Sequence, residues 1–170
     1  MLSMFYKHDE HKMYELINDT KKLAWVKLYL DIAQLYAKQS HCVSKKVCAL
    51  IVSENRIIST GINGTPSGSI NCDDYFKNKR DIKEHHEWSI NNEIHAEANA
   101  IAFAAKNGVN TKGASMFITL SPCIDCAKLI IASGITTVYF DEMYDKGNSD
   151  KAITLLVDNY INVVQYTNRK

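Results

Sequence analysis

Residues 95–126 read HAEANAIAFAAKNGVNTKGASMFITLSPCIDC, and this stretch decides the fold. The alanine-rich residues 95–106 predict a strong helix, because small apolar side chains recur at helical spacing on one face. Residues 115–120 predict a buried strand, and Pro122 suits the first turn of a second helix that runs to about Ala132. A helix, a strand and a helix in this order predict an α/β unit.

The flanking segments continue this alternation of helices and strands. They predict a helix at 21–38, hairpin strands at 46–53 and 56–62, a strand at 136–141, a helix at 149–159 and a strand at 161–166. The complete order predicts an α/β fold with one mixed sheet that is covered by helices on both faces. Residues 69–94 are polar and are predicted to be irregular, while residues 1–20 extend the first helix or attach loosely to it.

The composition is that of a globular chain and disfavours several classes of protein. The 170 residues include 20 Lys and Arg and 19 Asp and Glu, and the formal net charge of +1 argues against a surface that coats nucleic acid. The longest apolar run, Val47–Val52, is far shorter than the ~20 residues of a membrane span, and no signal-peptide region is visible. We therefore expect a cytoplasmic protein without nucleic-acid or membrane partners.

Two short motifs carry the chemistry. The first is His95-x-Glu97, and the second is the run PCIDC at 122–126, each at the start of a predicted helix. An odd count of five cysteines without a secretion signal argues against a disulfide framework and favours metal or thiol chemistry. Taken alone, a C-x-x-C pair also fits a structural zinc half-site or a redox dithiol, and a lone His-x-Glu is mostly coincidence.

Together the two motifs predict a catalytic zinc site. Cys123 and Cys126 lie one helical turn apart, and the positive end of the helix dipole favours their thiolates. His95 is the expected third ligand, which leaves the fourth tetrahedral position to water, and zinc lowers the pKa of such a water towards neutrality. Glu97 is then expected to act as the proton shuttle and not as a ligand.

The combined pattern His-x-Glu and Pro-Cys-x-x-Cys resembles the signature of the zinc nucleobase deaminases. The stretches that carry the resemblance lie at 47–52, 61–68, 92–97 and 119–126. They make the chain similar to the cytidine/deoxycytidylate deaminase superfamily, and within it to the deoxycytidylate (dCMP) deaminases of large tailed phages. The similarity extends from Leu23 to Tyr166. It implies one three-layer α/β/α deaminase domain over residues 1–170, a five-stranded mixed sheet, and hydrolysis of dCMP to dUMP and ammonia.

The resemblance also implies contacts with the substrate. They are Asn63 to the sugar or base, the loop around Ser121 to the exocyclic amine, and Tyr144 near the phosphate, with charge from Lys46 and the neighbouring Lys45. Each residue also has a plainer interpretation. Asn63 fits a turn, Tyr144 fits packing, and the two lysines fit a solvated surface.

Regulation and assembly follow from the same resemblance. The family is usually a homohexamer that dCTP, bound with Mg²⁺, activates and dTTP inhibits. The effector is expected at the loop 61–68 and the adjacent acidic run, with Gly64, Asp73 and Asp74 as the residues concerned.

A second zinc is a further implication, since some phage members carry one in the insert before the His-x-Glu motif. Residues 69–94 occupy that insert. The best matches to its ligands are Cys42, His85 and Glu93, and the candidates for the remaining ligand are His41, His86 and Cys72. The alternative is that the cysteines are ordinary buried thiols and the histidines lie on a polar surface.

Other functions stay open at this point. The same chemistry fits a deaminase of cytidine, of dCTP or of a tRNA adenine, although the near-neutral charge disfavours the tRNA enzyme. A function of another class is a non-catalytic zinc protein that binds nucleotides. Glu97 argues against that class, because a structural zinc has no use for a glutamate two residues after one of its ligands.

Overall fold

The computed structural model describes residues 3–4, 20–77, 82–144 and 146–166. These residues include six helices and six strands. In chain order they are β1 (Ser3–Met4), α1 (Thr20–Ala37), β2 (Cys48–Ser53), β3 (Arg56–Ile62), α2 (Cys72–Tyr75), α3 (Ile82–Asn92), α4 (Ala96–Lys106), β4 (Ser115–Leu120), α5 (Ile124–Ala132), β5 (Thr137–Glu142), α6 (Lys146–Asp158) and β6 (Asn162–Gln165). Most of the predicted N-terminal extension lies outside the described residues.

The strands form one mixed sheet in the order β1-β6-β5-β4-β2-β3. β4, β5 and β6 run parallel to one another, whereas β2 is antiparallel to both of its neighbours, β3 and β4. The predicted five-stranded mixed sheet is therefore confirmed. The two-residue β1 adds a short antiparallel sixth strand at the edge beside β6.

Helices cover both faces of the sheet, because successive residues of the central strands point in opposite directions. Leu50 and Phe117 pack on one face beneath Leu30 of α1. The next residues along, Ile51 and Ile118, pack on the other face against alanines and aliphatic residues of α4, α5 and α6. The three-layer α/β/α architecture is therefore confirmed.

The segment 69–94 differs from the prediction, since it forms the helices α2 and α3 where irregular structure was expected. A small aromatic cluster accounts for the difference. Phe76 meets Trp88 edge to face with ring centroids 5.4 Å apart, and Tyr75 stacks on Trp88 at 4.9 Å. The cluster also buries Cys42 and Cys72, so the segment has a core of its own despite its polar composition.

Two helix starts also differ from the prediction. α6 begins at Lys146, and Ser149, which was expected to cap it, lies inside the helix with only 2% of its surface exposed. Its hydroxyl meets the hydroxyl of Ser121 and does not close the helix end. α5 has Cys123 as its N-cap, so Pro122 precedes the helix and does not occupy its first turn.

Within the described part of the chain, α1 to α6 include no helix with both the length and the apolar content needed to cross a bilayer.

The strand β3 touches the first turn of α4 backbone to backbone. A Cβ at Gly61 would lie 2.3 Å from the Ala96 carbonyl oxygen and 2.4 Å from the Ala100 nitrogen, so only glycine fits. Side chains reinforce this contact on both sides. Ser59 Oγ donates to the Ala100 carbonyl at 2.7 Å, and Asn99 Nδ2 donates to the Ile62 carbonyl at 2.9 Å.

We predict that Gly61→Ala lowers the free energy of unfolding by about 2 kcal/mol or more, because the added methyl group overlaps helix backbone that cannot move aside. Chemical denaturation followed by circular dichroism measures this loss. Gly147→Ala is the matched control, since its Cβ would meet no atom within 4 Å. An equal loss in both variants would show that the contact between β3 and α4 is not tight.

Candidate active site and metal centres

The two motifs stand at the N-termini of neighbouring helices. His95 is the N-cap of α4, with an extended backbone at φ −66° and ψ 152°. Cys123 is the N-cap of α5, and its sulfur accepts the backbone N–H of Cys126 at 3.5 Å. Both caps lack an oxygen-bearing side chain, so each helix start presents a metal-ligating atom where serine or aspartate is usual.

The three predicted ligands meet at one point. His95 Nδ1 lies 3.4 Å from the sulfur of Cys123 and 3.4 Å from the sulfur of Cys126. A tetrahedral zinc with its usual Zn–S and Zn–N distances holds such pairs of atoms roughly 3.5 Å apart. The arrangement therefore fits zinc with three protein ligands, as predicted. Glu97 is not part of this ligand group within the described residues.

The ligand group favours a thiolate before any metal binds. The Cys126 thiol, followed by the His95 ring, lowers the pKa of Cys123 to about 4. The contact with Cys123 in turn raises the pKa of His95 to about 9, and the pKa of Cys126 is raised by its contact with Cys123 and by burial. A thiolate at Cys123 is the form that a metal requires.

Glu97 occupies a different environment two residues further along α4. Its side chain is 4% exposed, and burial raises the pKa of its carboxyl group to about 7. A carboxyl group with a pKa near neutrality can both accept and donate a proton at working pH, which is the property of a general acid–base residue. This is the role that the sequence predicts for Glu97.

A cavity of about 410 Å³ opens beside these groups. Its volume lies in the range of small-molecule sites. The walls are formed by Cys42, Ser44, Lys45, Val47, Asn63, His85, His86, Ser89, Ile90, Glu93, His95, Ala96, Glu97, Leu120, Ser121, Cys123 and Tyr144. The predicted substrate residues Asn63, Ser121 and Tyr144 are therefore brought together with the predicted metal ligands His95 and Cys123 and the predicted proton shuttle Glu97.

Asn63 lies on the cavity wall and also holds the chain that leads into β2. Its Oδ1 accepts the N–H of Val47 at 2.8 Å, and its Nδ2 donates to the Lys45 carbonyl at 2.8 Å. A side-chain amide has two donors and two acceptor positions, so each of its two ends retains one further hydrogen bond for a ligand. The turn-forming interpretation and the binding interpretation are thus compatible.

The predicted lysine contact needs correction. Lys46 is not among the residues that line the cavity, and its Nζ donates to the Lys38 carbonyl at 3.4 Å. Lys45, which was predicted beside it, does line the cavity. Both lysines precede β2, and Lys45 is the one of the two whose side chain is placed at the wall.

The predicted effector residues make contacts with different parts of the chain. Gly64 pairs with Ile94 in both directions, at 3.2 Å and 2.8 Å, and so ties the loop 61–68 to the residue before His95. Asp73 accepts a hydrogen bond from His41 Nδ1 at 2.8 Å, and Asp74 follows it in the first turn of α2. Their part in effector binding stays a prediction.

A second group of ligand atoms comes from the segment before β2, the start of α2, the helix α3 and the residue that follows α3. The side chains of Cys42, Cys72, His85 and Glu93 bring one ligand atom each to within 4.8 Å of one another. His85 Nε2 lies 3.6 Å from the Cys42 sulfur and 3.3 Å from the Cys72 sulfur. This group contains Cys42, His85 and Glu93, the three residues that were the best matches to the ligands of a second zinc.

Of the three candidates for the fourth ligand, only Cys72 joins the second group. His41 is bound to Asp73, and His86 lies on the cavity wall. The carboxylate of Glu93 is held on one side only. Oε2 accepts the Ser89 hydroxyl at 2.6 Å, whereas Oε1 is buried and has no hydrogen-bond partner among the described residues, as expected of an atom that ligates a metal.

The helix α3 contributes cavity residues that the prediction missed. His86, Ser89 and Ile90 line the cavity together with His85 and Glu93. The signal was present as helical spacing, because positions 85, 86, 89, 90 and 93 fall on one face of a helix. It was overlooked because the segment was predicted to be irregular.

Comparison with known proteins agrees with this geometry. Residues 23–142 match the family described as the cytidine and deoxycytidylate deaminase zinc-binding region. The chain belongs to this family. The deoxycytidylate deaminase of Enterobacteria phage T2 is 46% identical over 149 residues, which cover 69% of this chain and 79% of the relative. The human deoxycytidylate deaminase is 40% identical over 132 residues, which cover 76% of this chain and 71% of the relative.

Solved structures of the family extend the comparison to the fold. The dCMP deaminase of cyanophage S-TIM5, solved in complex with dCMP and dUMP, superposes with a TM-score of 0.68 at 29% identity and covers 94% of this chain and all of the neighbour. A deaminase that edits A34 of transfer RNA shares the fold alone, with a TM-score of 0.54 and 19% identity over 82% of this chain and 91% of the neighbour. The resemblance to phage dCMP deaminases is thereby confirmed.

We predict that Asn63→Ala lowers the free energy of unfolding by about 1–3 kcal/mol, because it leaves the Val47 N–H and the Lys45 carbonyl without their side-chain partner. Urea denaturation measures the loss. Asn91→Ala is the control, since Asn91 is exposed and donates only within its own helix, to the Glu87 carbonyl. A smaller loss for Asn63→Ala than for Asn91→Ala would contradict the bridging role.

Proposed function

We propose that this chain hydrolyses dCMP to dUMP and ammonia. The observation that carries the proposal is a buried glutamate, Glu97, beside a ligand group of one histidine and two cysteines on the wall of a 410 Å³ cavity. The phage T2 relative at 46% identity is a deoxycytidylate deaminase, and the S-TIM5 neighbour binds dCMP and dUMP. Both similarities support dCMP over cytidine, dCTP or a tRNA adenine as the substrate.

His95, Cys123 and Cys126 are the residues that would hold zinc. When bound there, zinc supplies Lewis acidity that makes water nucleophilic near neutral pH. The chain's own contribution to the chemistry is proton transfer by Glu97. Its carboxylate accepts a proton from the attacking water as oxygen adds to C4 of the cytosine ring, and it delivers that proton to ring nitrogen N3.

The same carboxyl group then completes the reaction. Glu97 takes the second proton from the new hydroxyl group and passes it to the exocyclic amine, which leaves as ammonia when the C4–N bond breaks. Burial supports this double role, since it holds the pKa of the carboxyl group at about 7. Asn63 and Lys45 line the same cavity and are suited to the sugar and the phosphate respectively, by hydrogen bonding and by charge.

We predict that Glu97→Gln lowers kcat for dCMP by about 10²–10⁴-fold, because glutamine keeps the shape of the side chain but cannot carry a proton. The loss of ultraviolet absorbance on deamination measures turnover, and elemental analysis measures zinc. Zinc content is expected to stay unchanged, since Glu97 is outside the ligand group.

Glu87→Gln serves as the control for this experiment, because Glu87 is exposed on α3 and is not among the residues that line the cavity. Retained turnover in Glu97→Gln would refute the assigned role. A wild-type protein with zinc that deaminates cytidine or dCTP better than dCMP would overturn the substrate.

Regulation by dCTP with Mg²⁺, inhibition by dTTP and assembly into a homohexamer belong to the same proposal. The contact that supports regulation is the pairing of Gly64 with Ile94, which joins the expected effector loop to the residue before His95. The dCMP assay repeated with each triphosphate tests it. Activity that neither nucleotide changes would contradict the proposed regulation.

We also propose that Cys42, Cys72, His85 and Glu93 hold a second, structural zinc. The donor set suits zinc, the four ligand atoms lie within 4.8 Å of one another, and Oε1 of Glu93 is buried with no hydrogen-bond partner in the described part of the chain. Three of the four residues also line the cavity. A metal here would therefore brace α3, which forms one wall of the substrate site.

We predict two zinc ions per chain in the wild-type protein and one in Cys72→Ser after dialysis against a weak chelator. Cys72 is chosen because it is a ligand candidate that does not line the cavity. Elemental analysis counts the metal. Cys48→Ala is the control, since Cys48 is a buried thiol outside both ligand groups, and it should retain both ions. A single zinc in the wild-type protein would contradict the second site.

A further inference from the structure

The buried hydroxyl pair of Ser121 and Ser149 joins the cavity to α6. Their oxygens lie 2.8 Å apart, although the residues are 28 positions apart in the chain. Ser121 is 6% exposed and Ser149 is 2% exposed. Buried hydroxyl groups are costly unless they are hydrogen-bonded, so this pair is a firm contact and not a surface encounter.

Ser121 also makes two hydrogen bonds to the end of β5 and the segment that follows it. Its backbone N–H donates to the Glu142 carbonyl at 2.8 Å, and its Oγ accepts the N–H of Tyr144 at 3.0 Å. Residues 142 and 144 are therefore bound to the same serine. Pro122 and Cys123 follow directly, so the segment is joined to the start of the metal-binding motif.

Tyr144 depends on this anchoring for its place on the cavity wall. The ring lines the cavity, yet Tyr144 is 57% exposed, so packing against neighbours restrains it weakly. The backbone contact to Ser121 Oγ is then a main restraint on where the ring lies. The direction of Ser121 Oγ is set in turn by its hydrogen bond with Ser149.

We propose that Ser149 is a positioning residue for the nucleotide. Through Ser121 Oγ it fixes the backbone of Tyr144 and so the aromatic part of the cavity wall, without touching the substrate itself. Ser149 is absent from the residues that line the cavity, which separates this role from direct binding. The inference rests on the proposed function, since it takes the cavity as the dCMP site.

The test is Ser149→Ala in the zinc-loaded enzyme. We expect KM for dCMP to rise about fivefold, the change that the loss of one ordinary hydrogen bond produces, while kcat changes less than twofold. Zinc content should not change. Ser133→Ala is the control, because Ser133 Oγ donates to the Ile130 carbonyl at the far end of α5 and should leave KM unaltered.

A double-mutant cycle separates positioning from general loss of structure. In a Tyr144→Ala background, Ser149→Ala should no longer raise KM, because the ring whose place it sets is gone. Additive effects of the two substitutions, or a rise in KM with equal loss of kcat and zinc, would overturn the proposal.

Hydrogen exchange provides a readout that does not depend on the substrate. Peptides that contain the Tyr144 amide should exchange faster in Ser149→Ala than in Ser133→Ala, and unchanged exchange would overturn the proposal even if KM rises. Failure of the proposed function gives a different result. A wild-type enzyme that neither binds nor deaminates dCMP refutes the function, whatever the exchange data show.

Discussion

The contact between β3 and the first turn of α4 is the constraint on which the rest of the site depends. At Gly61 the backbone of the helix occupies the space that any side chain on the strand would need, and Asn99 donates from the helix to the strand. His95 is the N-cap of that helix and Glu97 is its second residue. The same contact therefore sets the place of one proposed metal ligand and of the proposed proton shuttle. The cysteine pair reaches them from a separate helix, α5, which follows β4 in the chain.

The two catalytic helices divide the electrostatic work between them. The N-terminus of α5 holds Cys123, whose pKa falls to about 4 beside Cys126 and His95, so its sulfur is a thiolate before a metal arrives. The first turn of α4 holds Glu97, whose pKa rises to about 7 because it is buried. The pKa of Cys123 is thus lowered and the pKa of Glu97 is raised, although both residues lie near the starts of neighbouring helices. That difference allows one cavity to contain a ligand that is always deprotonated and an acid that exchanges its proton.

The parts of the molecule that could be predicted are those set by short-range sequence pattern. The strands 56–62 and 115–120 and the ligand set His95, Cys123 and Cys126 follow from short-range spacing, and the structure places them as expected. The helix α3 depends instead on contacts between its own Trp88 ring and the rings of Tyr75 and Phe76, which lie at the end of α2. Composition does not reveal these contacts. The sequence also did not separate Lys46 from Lys45, and only Lys45 lines the cavity among the described residues. Sequence puts two adjacent lysines near the site, and only the three-dimensional course of the backbone decides which side chain faces the cavity.

Chemistry and recognition rest on different kinds of contact in this fold. The groups proposed to hold a metal and move a proton stand on helices packed against the sheet by a continuous apolar core. The walls that face a nucleotide belong to segments with less packing, and polar contacts to backbone hold them. Asn63 holds the residues before β2, Gly64 pairs with Ile94, and Ser121 holds Tyr144. Because a wall fixed by a few hydrogen bonds can change without disturbing the core, substrate preference can diverge while the catalytic geometry stays in place.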